Sequence, residues 1–411
     1  MRRHRLQYAD WSWREYASAA GCLLTGRVNT GPAPQRLALA FAALYAPSTA
    51  YPVNYGHTAI GLALALFKRL RPARTEVLVP AYICPSVVDT IERAGLVPVP
   101  VRVGADLNLL PEAVRAALGP ATLAVIAPHM FGCPARIGEI EADCRQAGVF
   151  LVDDAAQVVG ERSAGRLLGT FGDIGIVSFA QSKAVVTGVR GSGGVLLVND
   201  PALDAPLRHD WEALPAPRGR ASAFADFVWN YQWSRYTGNS GYYLARLRSL
   251  LGGSRKAAPG PARIGNLEAS LALVQLGRLA GIRAAKIAAA AAYHAALAEL
   301  PGVAIPQYAP GRYLSRIMLT LPAWVDLRAL RQDLARHGVE TRVGYLEPVR
   351  ADQPDDDDLA AARLMLGLPF GKLKCGEINK ICSIVKSCLT AARPATLDIP
   401  RHETYQTAHQ R

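Results

Sequence analysis

Between residues 53 and 200, short apolar runs alternate with amphipathic segments, and this alternation restricts the fold of the chain more than any other feature. Runs with the length and composition of strands lie at 77–80, 97–103, 123–128, 149–152, 174–179 and 195–198, with helix-length stretches between most of them. Strands that are apolar throughout are typical of parallel sheets covered on both faces. The pattern predicts an α/β large domain with a mostly parallel sheet sandwiched by helices, where ligands bind at the carboxyl ends of the strands.

The C-terminal part of the chain predicts a second, smaller α/β domain. An Ala- and Leu-rich helical pattern at 264–300 is followed by a helix at 325–337, a strand near 339–343 and a closing helix at 376–390. The expected organisation is an N-terminal segment with the large domain at 1–260, the long helix with the small domain at 261–392, and a flexible tail at 393–411.

Residues 201–260 do not continue the alternation of strand-like and helix-like segments, and we interpret them as an aromatic-rich insertion. Aromatic residues make up 7% of the chain but are concentrated at 224–236. Such a stretch could be a lid over a substrate, a packed insertion or a contact between subunits, and the aromatic composition favours packing or a subunit contact.

The net charge of +13 raises the question of nucleic-acid binding. Only eight of the 46 basic residues are lysines, and the arginines are scattered along the chain, a bias that genome composition explains at least as well as nucleic-acid binding does. Binding of small anionic molecules is compatible with it. No apolar run reaches the length of a membrane span, and the basic start lacks the apolar run of a secretory signal. Seven cysteines without a C-x-x-C pair indicate reduced thiols rather than disulfides or a metal site. We expect a cytoplasmic protein.

Lys183 stands just past the apolar run 174–179 and before the glycine-rich segment 188–194. A lysine at the end of a buried strand is suited to form a Schiff base with an aldehyde cofactor, because desolvation lets the amine lose its proton near neutral pH. A surface lysine in a turn has the same local pattern, so this feature needs support from others.

Two carboxylates, Asp153 and Asp154, follow the run 149–152 and precede small residues. A carboxylate at that depth could keep a pyridinium nitrogen protonated, because an ion pair in a low-dielectric site favours both charged forms. Such a pair turns pyridoxal phosphate into an electron sink. The alternative is that one aspartate caps the next helix, and either residue could do so.

The segment 53–60 contains Gly56, His57 and Thr58 ahead of an apolar helical pattern. Backbone N–H groups at the start of a helix bind phosphate through their unpaired donors and the helix dipole. The segment predicts a phosphate site, because it lies upstream of the two preceding features in the expected α/β context.

With these features in place, the chain resembles the DegT/DnrJ/StrS family of pyridoxal-phosphate-dependent sugar aminotransferases, which have the aspartate-aminotransferase fold (fold type I). The resemblance covers roughly residues 20–390. It rests on motifs at 55–60 (Tyr-Gly-His-Thr-Ala-Ile), 79–84, 128–132, 153–157 (Asp-Asp-Ala-Ala-Gln), 172–183, 193–194, 263–276 and 368–369. Several motifs in the family's order make chance agreement an unsatisfactory explanation.

The resemblance implies catalytic roles for the matching residues. Lys183 would form the Schiff base and then move a proton between the substrate carbon and the cofactor carbon. Asp154 would pair with the pyridinium nitrogen, and Gln157 would lie beside the ring. Tyr82 or Cys84 would occupy the place that stacks on the ring, and the aromatic Tyr82 suits it better.

The resemblance also implies how the phosphate is held. Ser178, Gly56 and His57 would hold it within one chain. Arg263 would reach the phosphate of a neighbouring subunit's cofactor, which implies a homodimer with shared active sites. His129 matches a family position, and a structural histidine near the cofactor is an equal interpretation.

Three departures from the family pattern concern the substrate rather than the cofactor. Pro261 stands where relatives have an asparagine, two residues before Arg263. The segment 344–348 reads Gly-Tyr-Leu-Glu-Pro where relatives often have His-Tyr-x-Pro. The interval between Lys183 and Arg263 is longer than in typical members and holds the aromatic stretch.

We therefore predict an aminotransferase that moves an amino group from an amino acid, glutamate by family analogy, to a keto-sugar. The sugar would be attached to a nucleotide, whose diphosphate suits the arginine excess. One alternative is transamination or elimination on a non-sugar ketone in a specialised biosynthetic pathway. Sugar-dehydrating relatives lack the Schiff-base lysine, so Lys183 disfavours that dehydration. The other alternative is a non-catalytic protein on the same fold.

Overall fold

The computed structural model describes residues 4–188, 192–233, 260–350, 359 and 362–392. The expected flexible tail at 393–411 and the segment 234–259 of the expected insertion lie outside the described residues.

The described secondary structure comprises strands and helices in alternation, with short helical turns at Met130–Gly132, Pro201–Leu203 and Val228–Gln232. The strands are β1 Gln7–Tyr8, β2 Thr49–Val53, β3 Glu76–Pro80, β4 Val97–Val101, β5 Thr122–Pro128, β6 Phe150–Asp154, β7 Arg162–Ser163, β8 Arg166–Leu167, β9 Ile174–Ser178, β10 Gly194–Val198, β11 Ile317–Leu319, β12 Arg342–Val343, β13 Leu366–Leu368 and β14 Phe370–Gly371. The helices are α1 Trp13–Leu24, α2 Ala33–Leu44, α3 Gly56–Leu70, α4 Pro85–Arg93, α5 Pro111–Ala117, α6 Ile137–Ala147, α7 Asp204–Glu212, α8 Arg220–Phe227, α9 Asn266–Leu276, α10 Leu279–Leu297, α11 Leu327–Arg336 and α12 Cys375–Ala392.

A seven-stranded sheet forms the centre of the N-terminal part, in the order β2-β10-β9-β6-β5-β3-β4. β10 pairs antiparallel with both of its neighbours, and the remaining pairs are parallel. All residues of β5, β6, β9 and β10 are buried, as expected for strands covered on both faces. The mostly parallel sheet predicted from the apolar runs is confirmed. β2 was not among those runs, and it extends the sheet beyond β10.

Helices cover both faces of this sheet. On one face, α3 and α4 place residues such as Phe67 and Ile91 in a core with β6 and β9, and Phe67 stacks on Phe150 with ring centroids 4.0 Å apart. On the other face, α5 and α6 contribute Val114 and Ile140 to a separate core. The carboxyl ends of the parallel strands therefore lie at one edge of a rigid layer, where a site can form.

A three-stranded antiparallel sheet, β11-β13-β12, lies in the C-terminal part. It packs with α10, α11 and α12 around a core that includes Tyr293, Leu334 and Ile381. The N-terminal β1 pairs in parallel with β14, so the start of the chain reaches the C-terminal part. The expected second α/β unit is present, and the exact division at 260/261 stays a prediction.

The helical pattern predicted as one run at 264–300 forms two helices, α9 and α10, separated at Gly277 and Arg278. The N–H of Gly277 still makes the helical bond to the carbonyl of Leu273, whereas the N–H of Arg278 bonds to Gln275, three residues back, so the first helix ends here. α11 begins after Asp326, whose carboxylate accepts hydrogen bonds from the N–H groups of Arg328 and Ala329. Among the described helices, none combines the length and the apolar character that crossing a membrane requires.

The described part of the aromatic-rich stretch packs partly against the start of the chain. Phe227 is buried against Trp11, with ring centroids 5.2 Å apart, and Phe224 stacks on the same indole at 6.0 Å. Trp229 and Trp233 are exposed on the other side. This portion therefore contributes a packed contact, one of the interpretations that the sequence left open.

Gly175 in β9 allows the sheet to approach the loop around Gly169. A Cβ at Gly175 would lie 1.9 Å from the carbonyl oxygen of Gly169. We expect Gly175→Ala to lower the free energy of unfolding by about 3 kcal/mol, because the clashing atom is backbone and cannot rotate away. Urea denaturation measures this change.

Gly281→Ala is the matched control, because nothing lies within 4 Å of a Cβ there and the residue is in α10. It should raise the stability by roughly 0.5–1 kcal/mol, since alanine favours helix over glycine. An unfolding midpoint of the Gly175 variant equal to that of the parent protein would contradict the clash.

Candidate functional site

A cavity of about 200 Å³ opens at the carboxyl ends of β6 and β9. Six of the residues predicted from the sequence line it together: Gly56, His57, Asp154, Gln157, Ser178 and Lys183. They come from three separate stretches of the chain, at 56–57, 154–157 and 178–183, which the parallel sheet brings to one edge.

Lys183 follows β9 on a short loop, and its N–H donates to the carbonyl of Ala180 at 3.1 Å. The preceding Ser182 has a φ of 86°, a left-handed conformation that costs a non-glycine residue about 1 kcal/mol or more. Ser182 is held in this conformation by Arg316, which donates to its hydroxyl oxygen at 3.1 Å. The lysine is therefore presented by a tight, tethered turn rather than by a free loop.

The pKa of the Lys183 amine is lowered to about 8. Burial is the main cause, and the positive charges of Arg316 and Arg342 add to it, while Asp154 acts in the opposite direction. A pKa near 8 leaves a substantial neutral fraction around neutral pH. The amine is therefore available as a nucleophile and as a base.

The two adjacent aspartates have different tasks. Asp154 is buried and lines the cavity, where one of its oxygens accepts a hydrogen bond from the N–H of Ala156 at 3.0 Å. Burial raises the pKa of this carboxyl, and the nearby Lys183 opposes the rise. Asp153 instead accepts hydrogen bonds from the N–H groups of Gly169 at 2.5 Å and Phe171 at 3.1 Å.

His129 is fully buried beside Asp153 and does not line the cavity. Its Nδ1 accepts a hydrogen bond from the N–H of Ala135 at 3.0 Å, so the ring proton is on Nε2 and is donated to Asp153 at 2.7 Å. These contacts match the structural interpretation of His129, which positions the strand that carries Asp154.

At the opposite end of the cavity, α3 begins at Gly56 and no side chain caps it. A Cβ at Gly56 would lie 3.3 Å from Cβ of Ser178 and 3.5 Å from its hydroxyl oxygen, so helix and strand approach closely at this glycine. Uncapped N–H groups next to a hydroxyl form a site suited to an anion.

His57 stands beside this helix start, and its Nε2 lies 2.7 Å from the hydroxyl oxygen of Ser86. Its Nδ1 is buried and finds no hydrogen-bond partner among the residues that the structure describes. Burial lowers the pKa of His57 to about 4, and Lys183 and Arg93 contribute, so the ring is neutral at neutral pH. A buried nitrogen without a partner at a cavity wall is suited to contact a bound molecule.

Gln157 is fixed from the C-terminal part of the chain. Its Oε1 accepts a hydrogen bond from the hydroxyl of Ser315 at 2.9 Å, and its Nε2 lies 3.9 Å from the sulfur of Met130. The side chain therefore forms part of the cavity wall with little freedom to move.

Tyr82 does not join the other predicted residues at the cavity. Its ring packs against Tyr345 and Phe131, with centroids 5.1 and 6.2 Å apart, and its hydroxyl oxygen accepts from the N–H of Tyr345 at 3.0 Å. Cys84, the alternative at that place, lines the cavity together with Ile83. Tyr82 is buried among these aromatic side chains and therefore lies behind the residues that line the cavity.

Arg263 is also outside this cavity. It is exposed and lines a separate cavity of about 610 Å³ that contains Tyr51 and Trp211. Its N–H donates to the carbonyl of Pro215 at 3.0 Å. The contact expected between Arg263 and a neighbouring subunit's cofactor stays a prediction.

Arg316 lines the cavity and was not among the site residues predicted from the sequence. Besides Ser182, its guanidinium faces the rings of Phe131 at 5.7 Å and Tyr345 at 6.0 Å, and its Nε is buried without a partner among the described residues. A single arginine directly before the apolar run of β11 was the available signal. A charge at the start of a buried strand generally needs a partner or a ligand.

Comparison with known proteins adds to this geometry. The model of the DegT/DnrJ/EryC1/StrS aminotransferase family matches residues 12–366. A protein of Saccharopolyspora erythraea, the erythromycin biosynthesis sensory transduction protein EryC1, is 28% identical over 84% of this chain and 82% of its own length. The dTDP-3-amino-3,4,6-trideoxy-alpha-D-glucose transaminase of Streptomyces venezuelae is 28% identical over 86% of both chains. The fold is similar to that of the aminotransferase PseC of Helicobacter pylori, with a TM-score of 0.77 at 14% identity, covering 95% of this chain and 100% of that one.

In the cofactor-free protein, reaction of Lys183 with a small aldehyde, fixed by cyanoborohydride and located by peptide mapping, should increase as the pH rises through about 8. Replacing Asp154 by Asn removes the carboxylate that favours the charged amine, so the midpoint should move to lower pH. A midpoint near the ordinary lysine pKa of about 10.4, or an upward shift in the Asp154 variant, would contradict this electrostatic account.

Proposed function

The chain belongs to the DegT/DnrJ/EryC1/StrS aminotransferase family, and on this premise we propose that it transfers the amino group of glutamate to a nucleotide-linked keto-sugar. Membership of the family makes it an aminotransferase that depends on pyridoxal 5'-phosphate. The observation that carries the proposal is that Lys183, Asp154 and the uncapped start of α3 share one buried cavity.

The residues of the cavity fit this cofactor. The unpartnered Nδ1 of His57, the start of α3, which no side chain caps, and the Ser178 hydroxyl would form the anion site that holds the phosphate. Asp154 would hold the ring nitrogen, and Gln157 would lie beside the ring. Each of these groups either lacks a partner or has free hydrogen-bonding capacity toward the cavity.

When bound, the cofactor supplies an aldehyde that accepts an amino group and a pyridine ring that withdraws electrons from the adjoining carbon. Lys183 Nζ would hold the cofactor through its aldehyde, and the same amine, when neutral, would accept and return the proton of the substrate carbon. Its lowered pKa suits both tasks, because the amine must be neutral to attack and to accept a proton. The Asp154 carboxylate would favour a protonated ring nitrogen, because an ion pair in a buried site stabilises both charged forms.

Arg316 supports an amino acid as the amino donor. Its guanidinium lies in the cavity with Lys183 and has an unpartnered, buried Nε among the described residues. A guanidinium binds a carboxylate through paired hydrogen bonds, which orients the donor's carbon toward the lysine. The hydroxyl of Ser182 and the rings of Phe131 and Tyr345 keep the side chain in place.

The keto-sugar acceptor is supported by the relatives rather than by the cavity alone. One of them, at 28% identity over most of both chains, is named as a transaminase of a dTDP-linked amino sugar. A surplus of 13 positive charges suits a diphosphate-bearing substrate.

A homodimer with shared active sites is part of the proposal. Arg263 is exposed and stands outside the cavity of its own chain, as a residue that serves a neighbouring subunit would. Large apolar side chains are exposed on α1 and α2, including Trp13, Leu24 and Leu39. Apolar residues on adjacent helices are suited to a subunit contact.

We expect Lys183→Ala to abolish amino transfer from glutamate to nucleotide-linked keto-sugars, while the protein still binds the cofactor through the other cavity residues. Asp154→Asn should retain cofactor and reduce the rate by about 100-fold or more, since the ring nitrogen loses its anionic partner. Product formation is followed by mass spectrometry. Borohydride reduction and peptide mapping should place the cofactor on Lys183 of the parent protein; a label elsewhere, or normal turnover by the alanine variant, would refute the mechanism.

Arg316→Ala should raise KM for glutamate about tenfold or more, because a charge-assisted contact with its carboxylate is lost. Arg316→Lys keeps the charge without the paired donors, so its KM for glutamate should lie between those of the parent protein and the alanine variant. A primary amine without a carboxylate serves as a comparison, and its KM should not change. Assays at pH 7 and pH 9 separate this effect from the change in the Lys183 pKa. An unchanged KM for glutamate would exclude Arg316 from donor binding.

A further inference from the structure

A second lysine, Lys286 of α10, lies beneath the loop that carries Lys183. Its Nζ donates a hydrogen bond to the backbone carbonyl of Lys183 at 3.0 Å. We propose that Lys286 is a positioning residue that fixes the backbone of Lys183 from below, so that the Lys183 amine is directed into the cavity. This inference rests on the role proposed above for Lys183.

The surroundings of Lys286 make this contact its principal polar interaction. The residue is 7% exposed, and its amine lies near the rings of Tyr313 at 5.6 Å and Phe370 at 5.5 Å. Within the described ranges, no carboxylate oxygen lies within 4 Å of its Nζ. A buried amine without a carboxylate is costly, and an apolar residue of the same length would pack there at lower cost. Its one hydrogen bond to the described residues ends on the lysine of the site.

Within the loop, the N–H of Lys183 bonds to Ala180, and the other described contacts from outside the loop end on Val186 and Ser182. Gln275 of α9 accepts from the N–H of Val186 at 2.9 Å and donates to its carbonyl at 2.8 Å. Trp11 donates to that carbonyl as well, at 2.8 Å. Ser182, on the other side, is held by Arg316 in a left-handed conformation. Among these described contacts from outside the loop, the hydrogen bond from Lys286 is the one that ends on the backbone of Lys183.

The buried position of Lys286 also lowers the pKa of its amine. Its pKa is lowered to about 7 by burial, with Lys183 and Arg316 adding to the effect and Asp10 opposing it; Tyr313 also faces the amine. A neutral amine still donates the hydrogen bond, so the tie persists through this titration. In the unfolded chain the amine titrates at its ordinary pKa of about 10.4, so the unfolded chain binds more protons between about pH 7 and 10.4. The free-energy cost of burying Lys286 in the folded protein is therefore greatest below pH 7 and declines toward pH 10.

Lys286→Met is the decisive variant, because methionine keeps the apolar stem and removes the donor. We expect it to melt at the same temperature as the parent protein or higher, with the difference largest at pH 6 and smaller at pH 9. Its kcat should nevertheless fall about tenfold, the factor associated with one hydrogen bond, while KM for the donor changes less than twofold. Improved stability with impaired turnover separates positioning from a merely structural role.

A spectroscopic readout that needs no turnover supplements this test. The pH midpoint of the visible absorbance change of the cofactor held by Lys183 should move upward by about half a pH unit in the variant, because a neighbouring positive charge is removed. Lys68→Met is the matched control: its amine also donates to backbone carbonyls, of Ala94 and Gly95 at 2.9 and 3.0 Å, but outside the cavity. It should leave both the midpoint and kcat unchanged.

Parental kcat and midpoint in the Lys286 variant, or equal changes in the Lys68 control, would overturn the inference. Should the variant be less stable than the parent at pH 6, a tenfold fall in kcat per folded molecule still supports positioning, and an unchanged kcat per folded molecule overturns it. Borohydride mapping on the parent protein keeps the two proposals distinct. Without a label on Lys183 the proposed function fails, whereas a labelled Lys183 with an indifferent Lys286 variant refutes only this inference.

Discussion

The site depends on keeping one lysine amine largely out of water while a buried carboxylate stands in the same cavity. Burial lowers the pKa of Lys183 and raises that of Asp154, so desolvation alone moves both groups toward their neutral forms. Their mutual attraction opposes that shift. A balance of this kind leaves the amine able to exchange a proton near neutral pH, and it requires a cavity built from rigid elements.

The rigidity comes from pairing a functional residue with a structural neighbour. Asp154 faces the cavity, whereas Asp153 fastens the strand to the loop at 169–171 and to His129. Lys183 faces the cavity, whereas Ser182 is held by Arg316 from beyond the end of the sheet. In each pair, the neighbour's side chain makes fixing contacts, and the side chain of the residue assigned to the reaction lines the cavity.

Positive charge accumulates around the cavity from several elements. Arg316 and Arg342 lower the pKa of Lys183, and Lys286 approaches it from below through the backbone. Such a concentration would be unfavourable in an empty apolar core, but it suits a site that binds a phosphate and carboxylates. The same charges that attract anionic ligands keep the lysine amine ready to react, so binding and reactivity have one electrostatic origin.

The sequence by itself determined six of the seven strands of the central sheet, their mostly parallel arrangement, the family, and six residues that meet in one cavity, because apolar runs and short motifs are local patterns. Only the tertiary structure decided which of the two aspartates faces the cavity, that Tyr82 is withdrawn behind its wall, and that the long helical pattern divides at Gly277 and Arg278. It also brought Arg316 to Ser182 and Lys286 to Lys183, across 134 and 103 positions of sequence. These outcomes depend on burial and on contacts between distant segments, and a side chain's neighbours across a folded core leave no trace in the residues adjacent to it along the chain.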